Sequence, residues 1–417
     1  MQDDSRQDRT DGERPRAFAL LDAGNDAATR LEGVEALGNP SSSMTGSERR
    51  IADRLLRVVL TDENATVRAE AIDALYFHGD RYIDELVARV ADAVRRRDGD
   101  DDPQSVFLRW LTSGHAAYRM AGATGVGAAD SPASPDATRR LREAFDDDDA
   151  RVRARAVRSY AALGGEAVAP IRPLLRTPNR LVRQAAVDAL VSIGTADATD
   201  LLATAAADGG DRLRKTVVDR LADLDSPASA TILLDAMRDP SLAVRRTAAA
   251  SLARLLAAGD AVRGRDVRER LASDSPLGSD DDDGDPARLF YDVTAGSAST
   301  RLPAAAERHA MWLCGELAAS EAGSPDDAQR WLLDALAHED AYVADIAAAY
   351  LPRLDGSGLE QALRALAADE GTDPDARARA RSAIRRIKAQ TAAAAADRSL
   401  DYIYVRRPAD YTEKRSQ

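Results

Sequence analysis

One short phrase recurs along the chain, and its spacing limits what the chain can fold into. "DDDDARVRARAVRSYAALG" begins at Asp146, "RTPNRLVRQAAVDALVSIG" at Arg176 and "RDPSLAVRRTAAASLARLLAAG" at Arg238. Each joins a polar turn to a Val-Arg pair, then to small and aliphatic residues. Aligned on that pair, the copies are Thr29-Arg30, Val67-Arg68, Tyr118-Arg119, Val152-Arg153, Val182-Arg183, Leu213-Arg214, Val244-Arg245 and Ala376-Arg377. From Arg153 to Arg245 the steps are 30, 31 and 31 residues. Four residues after the arginine stand Val34, Ile72, Ala123, Val157, Val187, Val218 and Ala249. Seven after it stand Leu37, Leu75, Val126, Tyr160, Leu190, Leu221, Leu252 and Ile384. These offsets fall on one face of an α-helix, so each copy predicts an amphipathic helix. Val343-Ala344 keeps the pattern without its arginine, and a degenerate copy is expected within Glu307 to Ala319.

A second helix is expected between copies, as in Pro170 to Arg176, Thr199 to Ala207 and Ser229 to Arg238. Asp62, Asn179 and Asp239 stand where helix starts need a side-chain acceptor. Gly164 and Gly194 stand where a helix end needs a left-handed residue. Stacked helix pairs follow, each stabilised by its neighbours.

The unit D-P-x-x-x-V-R-x-x-A-x-x-A-L resembles the HEAT repeat, in the short form of the PBS-lyase HEAT-like group. The resemblance covers roughly residues 17 to 388 and is strongest over 146–256. It implies an all-α fold, an α-solenoid of about nine or ten helix pairs stacked as a superhelix. The expected organisation is a disordered acidic start (1–16), a repeat array (17–272) with an inserted loop at 95–107, an acidic linker (273–300), further repeats (301–390) and a tail (391–417).

Composition narrows the function classes. Hydrophobic residues make up 44% of the chain but aromatics only 4%, which suits closely stacked helices and not a deep aromatic pocket. There are 70 acidic and 57 basic residues, a net charge of −13, and only Lys215, Lys388 and Lys414 are lysines. That balance points to a halophilic, archaeon-like source and away from nucleic acid. No apolar run reaches a membrane span, and the polar N-terminus does not read as a secretory signal, so a cytoplasmic protein is expected, with no membrane insertion.

Chemical motifs are few. Cys314, the one cysteine, reads as a small buried hydrophobe. The run "DDDDGD" (Asp280 to Asp285) lacks the ligand spacing of a calcium loop and reads as a solvated linker. His338-Glu339 is a single dipeptide where HEAT-like iron enzymes resembling deoxyhypusine hydroxylase carry several. "GATGVGAAD" (Gly122 to Asp130) continues a helix, with no strand before it. No cofactor or metal is expected.

The recurrent arginines Arg30, Arg68, Arg119, Arg153, Arg183, Arg214, Arg245 and Arg377 sit about 100° around the helix from the apolar residue before them. From that edge a guanidinium fork can reach a turn carboxylate or the open carbonyls of helix ends. A row of ligand-binding cations is the other reading. By resemblance to HEAT arrays, they form a structural ladder. The resemblance also puts these helices on the concave face, where Arg155, Arg158, Gln184, Asp188, Lys215, Asp219 and Arg246 point outward as candidate partner contacts. Tyr402, Tyr404, Arg406, Arg407 and Tyr411 gather aromatic and basic groups in the tail, which can cap the last repeat or recruit a partner. The resulting expectation is a non-enzymatic scaffold or adaptor for protein partners, in a signalling or taxis-type motility pathway. A bilin-lyase-like or other ligand-binding protein is the alternative.

Overall fold

A computed structural model describes residues 17–38, 48–96, 102–128, 134–273, 285–295, 301–320, 325–354 and 358–397. The five tail residues, the N-terminal 1–16 and Asp280 to Gly284 lie outside them. The described elements are α-helices and short 3-10 turns, with no strand among them. By their contacts they divide into two units at 224/225. The sequence placed its main break later, at 273–300.

In the first unit the Val-Arg helices form a row. Ala65–His78 packs on Ala27–Gly38 and on Ala116–Ala128. Ala116–Ala128 packs on Ala150–Ala162, which packs on Arg180–Ile193, which packs in turn on Asp211–Arg220. The second unit repeats the arrangement with Leu242–Ala258, Ala304–Ala318, Ala341–Tyr350 and Pro374–Asp397. Each unit is an all-α solenoid, with six such helices in the first and four in the second among the described residues.

The local chemistry of each start and stop is visible. Asn64 Oδ1 accepts from the Thr66 and Val67 amides at 2.8 and 3.2 Å. Asn179 does the same for Leu181 and Val182, and Asp149 for Arg151. These bonds satisfy donors that the first turn of a helix leaves open. Gly194 ends its helix at φ 60°, a conformation that costs a residue with a Cβ. The repeated apolar positions Val67, Ile72, Leu75, Val152, Val157, Val182, Val187, Leu190, Val244 and Leu252 are all buried. Burying an aliphatic side chain of this size contributes about 1.5–3 kcal/mol each.

Both stretches read as loops contain helix. The insert 95–107 runs into the helix Pro103–Leu111, where Pro103 supplies a preset φ at the first turn and Phe107 and Leu111 are buried. Gly122 and Gly125 face it. A Cβ on Gly122 would stand 2.7 Å from the Leu111 amide nitrogen, and one on Gly125 2.3 Å from the Phe107 ring. The glycines of "GATGVGAAD" thus admit a second helix at close range. The linker 273–300 likewise holds the helix Pro286–Thr294, capped by Asp285 on the Ala287 amide at 2.8 Å. Its apolar face, Leu289, Phe290 and Val293, is buried. In both places neighbouring acidic residues masked a short apolar pattern. Conversely, the expected helix at Pro170 to Arg176 is only a 3-10 turn, Arg172–Arg176, because two prolines interrupt its hydrogen bonding.

Candidate functional site

Seven of the eight recurrent arginines share one contact. Nη1 reaches back to the carbonyls five and six residues earlier, in the turn before its own helix. Arg119 donates to Ser113 and Gly114, Arg183 to Thr177 and Pro178, and Arg245 to Asp239 and Pro240, at 2.8–3.3 Å. Arg153 donates to Asp147 and Asp148 at 2.5 and 3.1 Å. Arg68 grips the sixth carbonyl, at Asp62, while Arg30 and Arg214 grip the fifth, at Asn25 and Gly209. Arg377 occupies the same place in the last repeat, four residues after Asp373, which caps the helix through the Asp375 and Ala376 amides.

A second contact joins some neighbours. Arg30 meets the Asp62 carboxylate through two bonds of 2.7 and 3.0 Å, and Arg119 meets Asp147 through two of 2.7 and 2.9 Å. Each aspartate is shared: its carboxylate takes the arginine of one repeat and its carbonyl the arginine of the next. Burial pushes these two carboxyls up, but the guanidinium bonds and the amides of Asn64 and Asp149 outweigh it and hold both below the usual carboxylate range. At the corresponding place before Arg183 stands Thr177, which offers no carboxylate to Arg153.

The residues expected to face a partner are mostly engaged within the protein. Arg155 pairs with Asp80 at 2.6 Å and its side chain is 13% exposed. Arg158 pairs with Asp188 at 3.1 Å, and Asp188 also takes Arg220 at 3.0 Å. Arg246 pairs with Asp292 at 2.8 Å. The reason is geometric: the Ala-rich helices pack closely enough for positions one, two and five after the arginine to meet the neighbouring element. Gln184 and Asp219 are half-buried, and Lys215 is exposed. Periodicity did not reveal Arg151, which is held by Asp73 and Asp149 at 2.8 Å each and lies 5.4 Å from the Tyr76 ring centre. Its position just before the buried Val152 was the available signal.

Two recesses among the described residues bear on function. The first, a groove of 720 Å³ in the first unit, has Leu175, Leu201 and Leu213 in its walls with Arg172, Arg176, Arg183 and Arg212. Among the described residues none of these four arginines forms an ion pair. Asp208 and Asp211 also line the groove, and Asp211 is tied to Arg214 at 2.9 Å. The second, of 570 Å³ in the second unit, is lined by Tyr291, Arg301, Glu307, Asp334, His338 and Glu339 among others. Tyr291 donates to Asp334 at 2.5 Å, and burial pushes its phenol up, so it stays protonated. His338 Nδ1 accepts from the Asp340 amide at 3.0 Å, leaving Nε2 to donate to the Thr294 carbonyl at 3.3 Å. That pattern fixes a neutral imidazole tautomer.

Cys314 is buried, and burial pushes its thiol up, away from a reactive thiolate. Among the described residues no three His, Cys, Asp or Glu side chains are grouped to hold a metal ion, and no helix is long and apolar enough to cross a membrane.

Comparison with known proteins bears on the repeats alone. The family model for HEAT repeats matches residues 138–218. No curated protein matches the sequence. Among solved structures, an engineered protein is 18% identical, with 90% of this chain and 98% of that chain covered and a TM-score of 0.45. The Escherichia coli YibA protein is 17% identical, with 76% and 99% covered and a TM-score of 0.40. A chain from a structure of Kap95p with RanGDP is 13% identical, with 91% of this chain and 57% of that chain covered and a TM-score of 0.44. The capped helices Ala150–Ala162 and Arg180–Ile193, with their arginine-gripped turns, lie within the stretch 138–218 that the family model for HEAT repeats matches.

Proposed function

We propose that the chain is a non-enzymatic HEAT-repeat adaptor that holds protein partners. The observation that carries this reading is the first groove, an aliphatic floor edged by four arginines without carboxylate partners in a chain of net charge −13. Elsewhere arginines are tied to aspartates in pairs such as Arg30–Asp62 and Arg246–Asp292. The groove suits a partner segment that mixes carboxylates with aliphatic side chains. At molar salt the Debye length falls to about 3 Å, so apolar contacts along the groove must supply much of the affinity and the guanidinium forks its orientation. The charge balance and scarcity of lysine support a halophilic, archaeal cytoplasm, and the short repeat supports the PBS-lyase HEAT-like subtype. Within such a cell we place the protein as an accessory of a signalling or taxis-type pathway.

Affinity purification at molar salt, with mass spectrometry, tests the reading on the full chain and on a double variant, Arg176→Glu with Arg212→Glu. Both side chains are exposed, so the melting temperature is expected to hold. One stoichiometric protein partner is expected with the wild type and its loss with the variant. Recovery of a bound small molecule and no protein would overturn the adaptor reading.

A further inference from the structure

The second recess lies where the arginine pattern is inverted. In the repeats gripped by Arg68, Arg153, Arg183 and Arg245, the arginine stands four residues after the helix cap, at Asn64, Asp149, Asn179 and Ser241. The helix Ala304–Ala318 is capped at Pro303, so the equivalent position is Glu307. Six residues before it, where Asp62, Asp147 and Asp239 precede Arg68, Arg153 and Arg245, stands Arg301. Acid and base have exchanged places.

The exchange alters the chemistry of the turn. A carboxylate has no proton to give to the carbonyls of residues 301 and 302, which correspond to those an arginine grips in the other repeats. Glu307 is only 6% exposed, and among the described residues its carboxylate has no hydrogen-bond or ion-pair partner. It lines the 570 Å³ cavity together with Asp334 and Tyr291. The one cation in the described lining, Arg301, is paired with Glu339, and both of those side chains are largely exposed. His338 is neutral in its observed bonding. The Glu307 carboxylate therefore opens on the cavity with no cation of the described chain to meet it.

We infer that this cavity binds a guanidinium group, which pairs with Glu307 and supplies from outside the donors that an arginine at this position would have given. A planar fork can meet a carboxylate through two bonds and still turn donors toward carbonyls, which a compact ammonium does less well. The guanidinium can come from a partner's exposed arginine or from a free small guanidine. The site therefore does not depend on the adaptor reading.

Saturation-transfer NMR on the full chain tests it with N-acetylarginine methylamide, methylguanidine and the neutral isostere N-acetylcitrulline methylamide. Both guanidinium probes are expected to bind, with the citrulline probe at least about tenfold weaker. Tighter binding of the arginine amide than of methylguanidine assigns the group to a peptide; equal binding assigns it to a small molecule. Glu307→Gln is expected to weaken the arginine probe at least about tenfold while the protein stays folded by circular dichroism. Glu307→Arg, which restores the donor from within, is expected to raise the melting temperature and abolish binding. Unchanged binding to Glu307→Gln, equal binding of the citrulline probe, or no saturation transfer at millimolar probe overturns the inference. So does a Glu307→Arg protein that melts below the wild type.

Discussion

The turns gripped by Arg119 and Arg183 are built alike and finished differently. Both arginines close their own turn through the carbonyls five and six residues back. Arg119 goes on to clasp Asp147 of the next repeat, with a further bond to Asp148 at 2.5 Å. Arg183 stops at its own turn and opens toward a groove. The difference teaches that the motif has two separable parts. The grip on carbonyls recurs along the row, and the carboxylate clasp is an option that individual repeats use or omit. At Arg183, where it is omitted, the guanidinium lines the groove with no carboxylate partner among the described residues.

Removing each arginine breaks the comparison most directly. Arg119→Ala strands Asp147, whose side chain is 11% exposed, and is expected to cost about 3 kcal/mol in denaturant unfolding. Arg183→Ala loses only bonds to carbonyls and is expected to cost about 1–2 kcal/mol. Equal losses would mean that the clasp contributes nothing beyond the grip. Thr177→Asp sharpens the comparison by placing a carboxylate where Asp62 and Asp147 stand in their repeats. It is expected to add about 0.5–1 kcal/mol if Arg153 takes it up, read as a raised denaturation midpoint.

The smallest expected effect is on pH dependence. Asp147 is held below its ordinary value in the folded chain, so its contribution is present above the unfolded carboxylate range near pH ~4 and is lost as pH falls through the lower folded value. Asp147→Asn is therefore expected to flatten the acid side of the stability profile. Asp73 has the opposite sign: burial pushes it up despite Arg151. Its ionisation favours the unfolded chain, so its contribution falls as pH rises through the carboxylate range. Asp73→Asn is expected to leave a steeper overall rise in stability between about pH 4 and 6 than the wild type shows, checked by midpoint measurements at both ends.

Much of the fold was legible because the repeat obeys helical spacing and builds a core from it: Val182, Val187 and Leu190 announce their face in the sequence and are buried. The helix Pro103–Leu111 was not legible, since nine residues beside an acidic stretch give too little periodicity. Nor were the ion pairs of Arg155 and Arg246, because a residue's offset fixes its direction on its own helix and not the distance to the next element. The inverted turn at Glu307 was readable in principle. Aligning on the cap at Pro303 exposes it, whereas aligning on a Val-Arg pair hides it.

Asp147 gives the first unit a property beyond strength. Its carboxylate belongs to the closure of the turn before Arg119, and its carbonyl to the closure of the turn before Arg153. A stack of repeats could fray one helix at a time, each opening independently. A residue shared by two closures ties those openings together, so the backbone amides of Ala116–Ala128 and Ala150–Ala162 are expected to exchange with solvent as one cooperative segment, the boundary between repeats in the fold not being a boundary in the dynamics.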